Sequence, residues 1–222
     1  MINKENYQTL TAALQPSKTT LVAVSKLKPA SDIQALYDLG QRDFGENYVQ
    51  ELVEKQGQLP DDIRWHFIGH LQSNKVKYIA PFVHLIHGVD SYNLLKEINK
   101  QAEKNGRVIS CLLQIHIAEE ETKYGLDEKE AMELMERVEA NPLPNISIEG
   151  LMGMASFSDD ANKVRAEFRN LKALHHVLKQ SYFLANDSFK ILSMGMSGDY
   201  EMAIEEGSTM VRVGSLLFGN RG

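Results

Sequence analysis

Lys26 closes a short apolar run, Thr20 to Ser25 (TLVAVS). An amine carried out of the end of a buried strand loses part of its solvation, which lowers its pKa and frees it as a nucleophile of the Schiff-base kind. The plainer reading is a solvated lysine at the start of a loop, with Lys28 as an ordinary companion. Two later segments bear on that choice. Gly195, Ser197 and Gly198 stand between an apolar run and a helical pattern, and Gly214 and Ser215 do so again after the next run. Small residues there let backbone N–H groups approach a phosphate, serine hydroxyls add donors, and a helix N-terminus adds a favourable dipole. Tight turns without a ligand would need the same glycines. An amine facing a phosphate cradle suggests a phosphorylated aldehyde held as an imine, for which pyridoxal phosphate is the natural candidate.

Arg212 lies inside an apolar run, where a charge is costly unless it is paired or functional. It could form an ion pair with Glu46 or Asp90 inside the protein. It could instead face the pyridine nitrogen of the cofactor. A permanent cation there disfavours protonation of that nitrogen, so the ring becomes a weaker electron sink.

These residues need elements to position them. Eight short apolar runs alternate with stretches of helical period: Thr20 to Ser25, Gln41 to Phe44, Arg64 to Ile68, His84 to Val89, Ser110 to Ile117, Ser147 to Met152, Lys190 to Met194 and Met210 to Val213. Between them, helices are expected from Ser31 to a stop at Gly40, over Tyr92 to Asn105 before Gly106, over Asp127 to Ala140 before Pro142, over Ala161 to Tyr182, and over Tyr200 to Glu206 before Gly207. One βα unit per roughly 28 residues suits an α/β fold of the (β/α)8 TIM-barrel type, whose active sites lie at the C-terminal strand ends. An open doubly wound sheet would also alternate its elements. No Pro-, Gly- or Ser-rich linker interrupts the chain, so residues 1–222 read as one domain, with 1–19 as an extra N-terminal helix and connector.

Composition narrows the class. The chain has 222 residues, 43% of them apolar and 24% charged, with a formal net charge of −6. These values suit a globular protein with a real core and argue against broad nucleic-acid binding, which needs a concentrated basic surface. No run approaches the roughly 18 apolar residues of a membrane span, and no signal-peptide pattern opens the chain. The single cysteine, Cys111, reads as a small core residue, and its solitude points to a cytoplasmic protein. The seven histidines suggest no metal: His84 and His87 fall on opposite strand faces, His66 and His70 lack helical spacing, and His175 and His176 diverge. The acidic stretch Ala118 to Lys123 reads as a solvated loop. No Walker A or GxGxxG pattern occurs, so nucleotide binding has no support.

Several segments together resemble one known family. They are Ala23-Val24-Ser25-Lys26, Phe44-Gly45-Glu46-Asn47-Tyr48, His66-Phe67-Ile68-Gly69 with Leu71-Gln72-Ser73-Asn74-Lys75, Gly150-Leu151-Met152, Ser193-Met194-Gly195-Met196-Ser197, and Gly207-Ser208-Thr209-Met210-Val211-Arg212-Val213-Gly214. Their order and spacing are similar to the pyridoxal phosphate homeostasis protein family from about Leu21 to Gly219. The departures are His70 at a variable position and Gly153-Met154-Ala155 after the fourth motif. The resemblance implies a fold-type III barrel like the N-terminal domain of alanine racemase, with Lys26 carrying pyridoxal 5′-phosphate as an internal aldimine. It further implies Arg212 at the pyridine nitrogen, a phosphate cradle of Ser197, Gly214 and Ser215 with Met196 beside it, and Asn47 near the ring.

Two classes of function follow from it. In the first, the protein holds and buffers the cofactor in intracellular vitamin B6 homeostasis, as a monomer, with apo forms of cofactor-dependent enzymes as recipients. In the second, it is an amino-acid racemase or decarboxylase with weak activity. A two-base racemase needs a second acid/base group, which alanine racemases take from a C-terminal β domain. This sequence ends nine residues after Val213, and that favours the carrier, although Tyr48, Tyr124 and Tyr200 are candidates for reaching the cofactor. A Schiff-base aldolase would use Lys26 and the cradle but leave the other motifs unexplained.

Overall fold

The computed structural model describes residues 2–119 and 124–219. Eight parallel strands close into a barrel in chain order: β1 (Thr20–Val24), β2 (Asp43–Glu46), β3 (Arg64–Phe67), β4 (Leu85–Val89), β5 (Ile109–Ile115), β6 (Ile146–Gly153), β7 (Ile191–Ser193) and β8 (Met210–Val213). The barrel is closed by β8 pairing with β1, with Val22 opposite Arg212. The open-sheet alternative is thereby excluded.

Alternation along the strands sorts the side chains. Val22, Leu85, Leu112, Met152 and Met210 fill the interior as a small apolar cluster. Their outward neighbours, such as Ala23, Phe44, Trp65 and Val211, join a much larger cluster under the helices. This two-layer division is what successive residues on opposite faces of a strand produce.

Around the barrel lie α1 (Lys4–Leu14), α2 (Ala30–Tyr37), α3 (Val49–Gln56), α4 (Val76–Ile79) after a 3-10 turn at Ser73–Lys75, α5 (Tyr92–Lys104), α6 (Glu128–Ala140), α7 (Ala161–Tyr182), α8 (Tyr200–Glu205) and α9 (Ser215–Phe218). The long helix α7 has the bounds expected from sequence. Helix α6 starts with a full capping box, Asp127 and Glu130 each accepting from the other's backbone N–H. Gly40, Gly106 and Gly207 follow their helices at positive φ, as expected of stop residues.

Two local details depart from the sequence expectations. The second strand is shifted from Gln41–Phe44 to Asp43–Glu46, because Gln41 spends its side-chain amide on the carbonyls of Leu21 and Asp43. Helix α3 was not foreseen: it is two turns long and buries Lys55 where an apolar residue would signal its inner face. The stretch Ala118 to Lys123 falls mostly on residues 120–123, outside the described residues; of the rest, Ala118 is buried and Glu119 pairs with Lys163. Among the described residues no helix is long and apolar enough to cross a membrane. Cys111 is fully buried, and burial pushes its thiol pKa up.

Candidate functional site

Lys26 sits in a tight turn immediately after β1. Lys28 N–H closes that turn onto the Ser25 carbonyl at 3.0 Å, and Leu27 between them has φ 62°. A left-handed branched residue is strained and persists only where its surroundings hold it. Here the hold is visible: Leu27 N–H donates to Glu51 Oε1 at 2.6 Å. Glu51 is paired with Lys55, whose Nζ also donates to the Ser25 carbonyl at 2.8 Å and to Glu46 Oε1 at 2.7 Å. Ser25 Oγ donates to the same Glu46 oxygen at 2.6 Å. A buried lysine thus ties the residues before and after Lys26 to two carboxylates. Burial pushes the Glu46 carboxyl above its usual range, with Lys55 and Ser25 opposing that shift.

Beyond the C-terminal strand ends lies a cavity of about 900 Å³. Lys26, Asn47, Met196, Ser197, Arg212, Gly214 and Ser215 all line it. The seven residues singled out by sequence therefore come together, although they span almost the whole chain. Lys28, an ordinary companion on sequence grounds, lines the same cavity and donates to the Phe218 carbonyl at 3.0 Å. Its signal was its place two residues after Lys26, facing the same strand ends.

One wall is built from the loops after β7 and β8. Met196 N–H donates to Asp199 Oδ1 at 2.6 Å, which curls the loop around Ser197 and Gly198. Gly214 N–H donates to Ser197 Oγ at 3.3 Å and joins the two loops. Among the described residues, the N–H groups of Ser197, Gly198 and Ser215 have no intramolecular acceptor. A β-carbon added at Gly198 would meet nothing within 4 Å. The Oδ1 of Asn47, another residue lining the cavity, is buried without a partner among the described residues. Buried polar atoms left over in this way are unusual and mark a place for a ligand.

Arg212 forms neither expected ion pair. Its guanidinium donates instead to Ser193 Oγ at 2.7 Å and to the Gly153 carbonyl at 3.0 Å. Burial lowers its pKa to about 10, partly offset by Asp199, so it keeps its charge at neutral pH. Sequence spacing could not pick these partners: Ser193 ends the neighbouring strand β7 and Gly153 ends β6, and which inward atoms meet Arg212 depends on the stagger of those strands. The candidate tyrosines behave differently: Tyr48 is exposed, Tyr124 stacks on His70 and Tyr200 bonds Glu201, and none of the three lines the cavity.

The histidines also differ from the spacing argument. His84, exposed just ahead of β4, and the buried His87 both pack against the His66 ring, where spacing places them on opposite faces of one strand. Ligand-type atoms of Asp43, His66 and His84 lie within 4.8 Å of one another. Arg64 already takes both Asp43 oxygens, at 2.7 and 2.5 Å, and both nitrogens of His66 are hydrogen-bonded. The group reads as a satisfied hydrogen-bond cluster. The cavity, by contrast, offers an amine, a buried cation, an orphan carbonyl and unpaired N–H groups. That set complements an anionic, ring-containing carbonyl compound.

Comparison with known proteins agrees with this chemistry. The family model described as alanine racemase, N-terminal domain, matches residues 3–222. The chain is 44% identical over 202 residues to the pyridoxal phosphate homeostasis protein of Aquifex aeolicus, covering 90% of this chain and 86% of that one. It is 40% identical over 219 residues to the protein of the same name from Homo sapiens, covering 94% and 78%. The solved structure of PipY from Synechococcus elongatus with PLP bound matches with a TM-score of 0.87 at 36% identity, over 97% of this chain and 99% of that one.

Proposed function

The chain belongs to the pyridoxal phosphate homeostasis protein family, and from that membership we propose that it holds pyridoxal 5′-phosphate at Lys26, as a carrier or buffer rather than a catalyst. The observation that carries the reading is that one cavity gathers the Lys26 amine, the Arg212 cation and the loops of Ser197 and Ser215. The ligand would supply an aldehyde that bonds reversibly to an amine, and a ring that accepts electron density.

The residues fit such a group. Lys26 Nζ is the attacking amine, carried on a turn fixed by Glu51. Ser197 Oγ and the unpaired N–H groups of Ser197, Gly198 and Ser215 would donate to the phosphate oxygens. Arg212 would donate to the ring nitrogen and, as a cation, keep a proton off it. Asn47 and Met196 also line the cavity, and in this reading Asn47 would stand near the ring and Met196 beside the phosphate. With Arg212 in that place the ring is a poor electron sink, and among the described residues no tyrosine lines the cavity as a second acid/base group. Both points favour storage over racemisation.

Borohydride reduction of the protein loaded with pyridoxal phosphate, followed by peptide mapping, tests the site. The pyridoxyl group should appear on Lys26, and its appearance elsewhere rejects the assignment. Incubation with alanine should give negligible racemisation. Turnover near 1 per second would instead support the racemase reading. The reading further takes the barrel as one domain, monomeric and cytoplasmic, delivering cofactor to apo enzymes. Sedimentation and a transfer assay to an apo aminotransferase check those points.

A further inference from the structure

A continuous line of buried hydrogen bonds runs through the barrel interior from the cavity to the opposite end. Arg212 donates to Ser193 Oγ at 2.7 Å. Ser193 Oγ is 3.1 Å from His87 Nδ1, His87 Nε2 is 2.9 Å from His66 Nδ1, and His66 Nε2 is 3.0 Å from Asp43 Oδ1. All five side chains are buried. The line starts at the C-terminal side on β8, crosses to β7, β4 and β3, and ends on the first residue of β2. There Arg64 pairs with Asp43, and His84 packs edge-on against His66.

The two ends fix its direction. A guanidinium only donates, and an ionised carboxylate only accepts. Asp43 is ionised at neutral pH: burial raises its pKa, but the bonds from His66 and Arg64 bring it down to about 2. His87 is wholly buried and held well below the usual histidine range by that burial, so it is neutral. If each imidazole carries a single proton, one assignment satisfies every bond. Ser193 accepts from Arg212 and donates to His87 Nδ1; His87 donates from Nε2 to His66 Nδ1; His66 donates from Nε2 to Asp43. A cation and an anion at opposite ends thus orient four bonds in series, and such series reinforce one another in a medium of low dielectric.

We propose that Ser193, His87 and His66 are positioning residues that, anchored by Asp43, fix the direction in which Arg212 meets the bound ligand ring. This rests on the reading that the ring nitrogen faces Arg212. Breaking the line at its far end leaves every cavity residue in place. It removes the one-way acceptor that sets the tautomers, so Ser193 no longer has a single orientation under Arg212.

Two measurements test the proposal. In the wild-type protein, 15N NMR of the imidazoles should show both His87 and His66 protonated at Nε2 at pH 7.5, with or without ligand. A proton on Nδ1 of either ring overturns it. In protein loaded with pyridoxal phosphate, Asp43→Asn should shift the ligand absorption maximum and raise its Kd by about three- to tenfold. Leu112→Val, an apolar change in the same interior, should alter neither. An Asp43→Asn protein with the wild-type spectrum and Kd, or a Leu112→Val protein with the same shift, overturns the proposal. If Lys26 does not carry the ligand, the mapping experiment fails while the NMR result still decides the line.

Discussion

Lys55 Nζ lies 2.7 Å from Glu46 Oε1 in a pocket closed to solvent, and this contact supports the turn that presents Lys26. A buried ion pair adds little stability relative to an apolar pair, but losing one partner strands the other charge. Lys55→Met should therefore destabilise the protein by about 3–5 kcal/mol in urea unfolding. Adding Glu46→Gln should recover some of that loss. Strictly additive losses in the two variants would show that the pair is not coupled.

Acid should weaken the protein in two separate windows. Burial, helped by Lys179 and His176, lowers the His175 pKa to about 4. The unfolded chain then takes up that proton first, so stability is complete above pH 6.5 and declines as pH falls towards 4. The Asp43 carboxyl at about 2 lies below its ordinary 3.8. Its contribution of about 2 kcal/mol is present above pH 3.8 and is lost as pH falls towards 2. Urea unfolding at a series of pH values should show both declines. His175→Gln should remove the first and Asp43→Asn the second; an unchanged profile in either variant contradicts the corresponding assignment.

Glycines with positive φ should differ sharply in their tolerance. A β-carbon at Gly150 (φ 151°) would sit 1.8 Å from the Ile191 carbonyl oxygen, inside the pairing of β6 with β7. One at Gly40 (φ 104°) would meet nothing within 4 Å. Gly40→Ala should cost about 1–2 kcal/mol from backbone conformation alone. Gly150→Ala must also push β6 away from β7, and should cost more than about 4 kcal/mol or prevent folding. Thermal unfolding of both variants checks the order, and equal losses would contradict the close approach.

Ser197→Ala should weaken binding of pyridoxal phosphate about tenfold, the effect of one hydrogen bond to a charged group. Binding of pyridoxal, which has no phosphate, should be unchanged. Equal weakening of both ligands would move the phosphate away from Ser197. Fluorescence titration measures the two constants.

Much of this site was legible in the chain. Arg212 stood out as a charge in an apolar strand, and Ser197 and Ser215 as small residues after the last two strands. Lys28 was passed over because a lysine beside a loop is usually solvated. Helix α3 was missed because its buried face carries Lys55, whose partners Glu46 and Ser25 come from strand ends that sequence spacing does not relate.

By itself the sequence determined eight alternating βα units and the face that would carry the site, while closure of the sheet into a barrel was decided by the pairing of β8 with β1. Apolar runs separated by helical stretches leave few ways to bury both, and strand polarity places every following loop on one side. Only the tertiary structure decided the partners inside. Closure of β8 on β1 and the stagger of the strands set which inward side chains meet. That geometry gave Arg212 a serine and a carbonyl in place of a carboxylate, and placed two histidines between it and Asp43. Contacts across a barrel depend on register around the whole ring, and no local stretch of sequence holds that information.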